Sequence, residues 1–149
     1  LGDVYKRQLY NRNYLKVKGA EQLKGAIMPI TIIMGDCNYL KRVNDAYGHE
    51  YGDLLLKRVG RVIQENLPPE SVALRMGGDE FLIACSHFSA EEAEQLIERL
   101  HGELARQSDD RLKLDVAFGY HTVTEGPFDY IAVYHAADRD MYRNRRKNR

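Results

Sequence analysis

The chain has 149 residues, of which 44% are hydrophobic and 30% charged, and its 22 basic residues balance 22 acidic ones. One domain of this size buries roughly two-thirds of its unfolded surface, and zero net charge supplies no global field for nucleic acid or an anionic membrane, so any basic site must be local. Cys37 and Cys85 sit in apolar runs with no spaced Cys/His cluster that would suggest zinc, no apolar run is long enough to span a membrane, and the N-terminus lacks a signal core; together these predict a reduced, cytoplasmic domain without membrane contact of its own.

Leu1–Gln8 shows no period and resembles the ends of assembled sequence fragments, so it is read as a non-native or linker segment ahead of one domain, Leu9–Arg149. The spacing of Leu9, Tyr10, Tyr14, Leu15, Val17 and Leu23 predicts an amphipathic helix over Leu9–Lys24, stopped by Gly25 and Pro29. Pro29–Asp36 is nearly continuous in β-branched and apolar residues, the pattern of a central strand covered on both faces. A short helix follows around Tyr39–Tyr47, broken by Gly48. Tyr51, Leu55, Val59, Val62 and Ile63 then recur at helical spacing through Tyr51–Asn66, and Leu67-Pro68-Pro69 ends them.

Ser71–Met76 and Phe81–Cys85 are β-prone runs separated by Gly77-Gly78-Asp79-Glu80, which reads as a tight hairpin with two carboxylates at its tip. Ser89 with Glu92 three residues on forms a capping box ahead of Ala93, Leu96, Ile97, Leu100 and Leu104 at helical spacing. Leu112, Leu114, Val116 and Phe118 alternate and predict a strand ending near Gly119, and Phe128–Tyr142 predicts a last helix running into Arg143, Arg145, Arg146, Lys147 and Arg149. This order gives an α/β fold with a mainly antiparallel central sheet flanked by helices. It lacks the strand and Gly-rich loop of a Rossmann or P-loop domain.

Chemistry concentrates at two places. Carboxylates crowded at the hairpin tip repel one another unless a cation lies beside them, which suits a hard divalent metal and an anionic ligand. About forty residues upstream, the predicted central strand ends in Asp36 and leads into Asn38, Lys41, Asn44, Asp45, His49 and Asp53. A strand end, a polar loop and an acidic tip can converge on one site.

Asp36-Cys37-Asn38-Tyr39-Leu40-Lys41-Arg42-Val43-Asn44-Asp45, Tyr47-Gly48-His49-Glu50-Tyr51-Gly52-Asp53 and Arg75-Met76-Gly77-Gly78-Asp79-Glu80-Phe81 resemble the GGDEF domain of diguanylate cyclases, and the likeness extends from Leu9-Tyr10-Asn11-Arg12 to Met141-Tyr142. The resemblance implies the palm-like fold of class III nucleotide cyclases and polymerases. It implies a reaction in which two subunits of a homodimer, each holding GTP and Mg2+ (Mn2+ as an alternative), condense their nucleotides into cyclic di-GMP and release pyrophosphate. In the full-length protein it implies a sensory domain. The alternative is a catalytically weak or inactive GTP-binding module that regulates a neighbouring domain.

Carried over residue by residue, the resemblance makes Asp36, the Cys37 carbonyl and Asp79 metal ligands. Asp79 is also the base for the attacking hydroxyl, and Glu80 supports the metal site. Lys41, Arg145 and Arg149 meet phosphates, with Arg145 a charge-preserving replacement for lysine. Asn44, His49 and Asp53 fall on substrate positions. An amide and a carboxylate suit guanine, because Asp53 can accept from its N1–H and N2 amine, so GTP is expected over ATP. Three departures stand out: Asn38 where many members have a second Asp, Val4–Gln8 in place of an Asp-x-Leu-Thr-Gly lead-in, and Pro68-Pro69-Glu70-Ser71 where members that bind their own product carry Arg-x-x-Asp.

Overall fold

The computed structural model describes Glu21 and residues 23–147, with side chains through Arg145. Leu1–Gln8, nearly all of the helix expected over Leu9–Lys24, and Arg149 lie outside the described residues. The elements, in order, are β1 (Ile30–Cys37), α1 (Leu40–Tyr47), α2 (His49–Glu65), β2 (Ser71–Gly77), β3 (Glu80–Cys85), α3 (Ala90–Arg106), β4 (Val116–Val123) and α4 (Tyr130–Lys147).

The sheet has the order β2-β3-β1-β4, and all three pairings are antiparallel. Every residue of β1 is buried, as its unbroken apolar run predicts for a strand covered on both faces. Its alternate side chains serve two cores. Ile30, Ile32 and Met34 join Leu74, Leu82, Val133 and Ala137 beneath α4, while Ile33 and Cys37 join Leu55, Val59, Leu96 and Leu100 beneath α2 and α3. Fully burying an aliphatic side chain of this kind contributes about 1.5–3 kcal/mol, so the two layers carry most of the stability.

The capping box forms with both halves present: Glu92 N donates to Ser89 Oγ, and Ser89 N donates to Glu92 Oε1, each at 3.1 Å. α2 begins at His49, earlier than its apolar spacing indicates. Gly48, at φ 92°, makes the sharp break between α1 and α2 in a conformation that glycine adopts without a steric penalty.

The fourth strand corrects the sequence expectation. Leu112 and Leu114 are buried, but the ladder starts at Val116, opposite Cys37, because β1 offers no partner beyond that residue. Leu112 and Leu114 are held locally instead. Asp109 Oδ1 accepts from Arg111 N and Leu112 N, and Ser108 Oγ accepts from Leu114 N at 2.8 Å. Nor does Gly119 end the strand, which continues to Val123. A Cβ on Gly119 would stand 1.9 Å from Met141 N, so the glycine lets the α4 backbone lie directly on the sheet. α4 also satisfies the outer edge of β4: Asp140 Oδ2 accepts from Tyr120 N at 2.9 Å, and Asn144 Nδ2 donates to Phe118 O at 2.7 Å. These bonds fasten the C-terminal half of α4, and with it Arg145, beside the end of β1.

Candidate active site

The hairpin tip turns through Gly78 and Asp79, with Gly77 at φ 117° and Gly78 at φ 50°. A register shift between Arg75 and Gly77 bends β2 just before the turn, as a bulge does. Arg75 braces the turn from behind by donating from Nε and Nη2 to Gly78 O, at 3.1 and 2.6 Å. From the other side, Cys37 N donates to Asp79 O at 2.9 Å, which ties the tip to the end of β1. Asp36 is in register with Glu80 across the ladder. Two segments forty residues apart are thereby brought together by their main chains, independently of any ligand.

Asp36 is almost wholly buried, and its Oδ1 has no hydrogen-bond partner. Its Oδ2 accepts from Arg145 Nη1 at 2.5 Å. Burial, followed by the nearby charge of Asp79, holds the Asp36 carboxyl well above the usual carboxylate range; Arg145 pulls the other way, and Glu80 adds to the upward push. The charges of Asp79 and Glu80 thus reach Asp36 and disfavour its ionised form. Cys37 turns its thiol into the core, where burial pushes the thiol far above its ordinary value, so only its main chain faces the site.

Mg2+ in nucleotide sites is commonly held by one or two carboxylates plus phosphate and water rather than by a cage of side chains. The residues present fit such an ion: a buried carboxylate oxygen without a partner, a second carboxylate whose charge reaches it, and a neighbouring acid in register. Among the described residues, no three His, Cys, Asp or Glu side chains form a ready-made metal cluster. Phosphate oxygens and water would complete the set.

Cys37, Lys41, Asp45, Asp79 and Arg145 line one cleft of about 690 Å³, so five of the residues singled out in the sequence meet there. Asn44, His49 and Asp53 do not line it. Asn44 is half-buried against α2, while His49 and Asp53 are exposed in the first turns of that helix. A neighbouring cleft of about 800 Å³ shares Tyr39, Arg42 and Arg145 and extends between α3 and β4.

Sequence reasoning missed Arg75, Arg42 and Asp115. Arg75 had a local signal, being a basic residue three positions before the carbonyl it grips. Asp115 had none. It lies 77 residues from Asn38, whose Nδ2 donates to Asp115 Oδ2 at 3.1 Å and whose N donates to Asp115 O at 2.8 Å. The amide that departs from the family's usual acid thus clamps the end of β1 to the segment leading into β4.

The model of the GGDEF domain of diguanylate cyclases matches residues 6–149. Diguanylate cyclase DosC of Escherichia coli is 26% identical over 150 residues, covering 95% of this chain and 32% of DosC; the chain thus spans about a third of that relative's length. Among solved structures, the active GGEEF domain of a diguanylate cyclase from Vibrio cholerae is 25% identical with a TM-score of 0.79, covering 94% of this chain and 93% of that one. The GGDEF domain of DgcB from Caulobacter crescentus, solved in complex with c-di-GMP, has a TM-score of 0.80 at 24% identity, covering 95% and 85%, and supports the shared palm fold. With the signature at the hairpin tip and a family match that leaves out only the first five residues, the chain belongs to the GGDEF domain family of diguanylate cyclases.

Proposed function

We propose that this domain condenses two molecules of GTP into cyclic di-GMP, with release of two pyrophosphates, and that it does so as a homodimer in which each subunit presents one nucleotide. The observation that carries the reading is the bond from Cys37 N to Asp79 O, because it holds the acidic tip against the strand end that bears Asp36. Lys41 and Arg145, on the same cleft, supply positive charge for phosphates, with Arg149 as the further phosphate partner. Asp79 accepts the proton of the attacking 3′-hydroxyl, Glu80 supports the metal site, and Asn44, His49 and Asp53 bind the substrate. Asp36, the Cys37 carbonyl and Asp79 would hold Mg2+, which would supply Lewis-acid polarisation of the transferring phosphate. The controlling signal enters through a sensory domain of the longer protein.

The test is direct. The chain, fused to a dimerising coiled coil and given GTP and Mg2+, should form cyclic di-GMP, and the Asp79→Ala variant should form none while remaining folded. Failure of the parent to make product would sink the catalytic reading.

One observation favours a second reading. Arg145 occupies Asp36 Oδ2, which suits a domain that binds GTP and signals to a neighbour without turning it over. GTP binding without product would select that reading over the first.

A further inference from the structure

Asn44 and Gly52 face each other where α1 packs on α2. A Cβ built on Gly52 would stand 1.8 Å from Asn44 Oδ1, 2.8 Å from its Cγ and 3.3 Å from its Nδ2. No rotation that merely exchanges the amide oxygen and nitrogen relieves such an approach. The Asn44 oxygen is buried there and has no hydrogen-bond partner. The main chain holds the same pair in place: Gly48 N donates to Asn44 O at 2.9 Å, and Gly52 N to Gly48 O at 3.4 Å.

Two local penalties are accepted at one contact. Glycine inside a helix is less favourable than any residue except proline, and a buried acceptor without a donor is costly. Packing alone gives no reason to keep both, since an alanine at 52 with a small apolar residue at 44 would fill the same space and remove both penalties. What the arrangement does provide is room for the amide: without a Cβ at position 52, the Asn44 side chain lies directly against α2, and the residue after Gly52 is Asp53.

We propose that Gly52 is a positioning residue for base recognition: it seats the Asn44 amide against α2 in fixed relation to the Asp53 carboxylate, and so sets the preference for guanine over adenine through Asn44. The inference rests on the reading of Asn44 and Asp53 as the guanine-binding pair. Guanine offers N1–H, an N2 amine and the O6 acceptor, whereas adenine offers an amine in place of O6 and no N1–H. A carboxylate and an amide held in one geometry discriminate between them; the same groups on loose tethers can each find a partner on either base.

The experiment measures binding of the α,β-methylene analogues of GTP and ATP, with Mg2+, to the parent chain, Gly52→Ala, Asn44→Ala and the double variant. These analogues cannot release pyrophosphate, so affinity is read apart from turnover. In the Asn44→Ala background the added methyl meets no amide. Gly52→Ala should lower the GTP-over-ATP affinity ratio about tenfold in the parent background and change it less than about twofold in the Asn44→Ala background, the signature of two residues acting as one unit. Where Gly52→Ala alone fails to fold, the double variant, relieved of the clash, should fold and show the selectivity of Asn44→Ala. An equal loss in both backgrounds, or an unchanged ratio in Gly52→Ala, overturns the inference alone. A parent chain that binds neither analogue, or binds both equally, overturns the guanine reading and the inference with it.

Discussion

Arg145, near the end of α4, donates from Nη1 to Oδ2 of Asp36, the last acidic residue of β1, at 2.5 Å across 109 residues of sequence. The guanidinium proposed to meet phosphate thus rests on the carboxylate proposed to bind the metal. Replacing Arg145 by Gln should therefore act in opposite directions on the two ligands. Affinity for Mn2+ without nucleotide should rise several-fold, read by electron paramagnetic resonance, while GTP affinity should fall about tenfold through loss of a charge-assisted bond. Parallel losses of both would show that Arg145 merely supports the fold.

Asp36 is a buried acid whose surroundings disfavour its charge, despite Arg145. A carboxyl raised in the folded state binds its proton more tightly there than in the unfolded chain, so metal-free stability falls as pH rises through and above the ordinary carboxylate range. In chelator at pH 8, Asp36→Asn should raise stability by on the order of 1–2 kcal/mol, and the gain should shrink toward pH 4. The same variant should lose the stabilisation that Mg2+ and GTP confer on the parent. Thermal melts across pH, with and without ligand, check both halves.

Restoring the acid more usual in the family at position 38 should harm this chain. Asn38 donates to Asp115, so Asn38→Asp sets two carboxylates against each other and should cost about 1–2 kcal/mol in the absence of metal. Adding Asp115→Asn should recover most of that loss, because the amide then stands on the other side. Denaturant unfolding of the four combinations measures the coupling.

Gly119→Ala should be among the most damaging small substitutions in the molecule. Its methyl would meet the α4 backbone at Met141 N and Cα, which cannot rotate aside as a side chain can. A loss of about 3 kcal/mol or more is expected by the overpacking argument, with Arg145 displaced along with the helix. Gly126→Ala, where nothing lies within 4 Å but φ is 85°, should cost only the smaller backbone penalty of about 1 kcal/mol.

Pro68-Pro69-Glu70-Ser71 carries no guanidinium to pair with a product phosphate, and Ser71 Oγ is already spent on Pro68 O. Cyclic di-GMP added to the dimerised chain should leave the initial rate of GTP turnover unchanged. Strong inhibition relieved by substituting Glu70 or Ser71 would overturn this expectation.

Much of the architecture is written locally in the sequence. The β1 run announces a strand buried on both faces, Ser89 and Glu92 announce the start of α3, and Gly77-Gly78 between two β-prone runs announces a turn with acids at its tip. Each signal is read by residues a few positions apart, and so survives without knowledge of the fold. The resemblance carried by these motifs extended the reading to Lys41, Asp79 and Arg145, which do share a cleft.

Other features belong to the tertiary structure alone. Alternation at Leu112 and Leu114 promised a strand, yet a ladder needs a partner, and β1 stops at Cys37. Gly119 looked like a strand end because its sequence cannot reveal that a helix lies on it. Asn38 with Asp115, Arg145 with Asp36 and Asn44 with Gly52 are pairings made by sheet order and helix packing, and periodicity carries no information about which distant residues those bring together. The sequence by itself determined most of the segments that form strands and helices and where the acids gather, at the end of β1 and at the hairpin tip. The packing of α4 on β4 and of α1 on α2 decided how those groups are held, because distance and burial, not residue type, set what each charge and amide can bind.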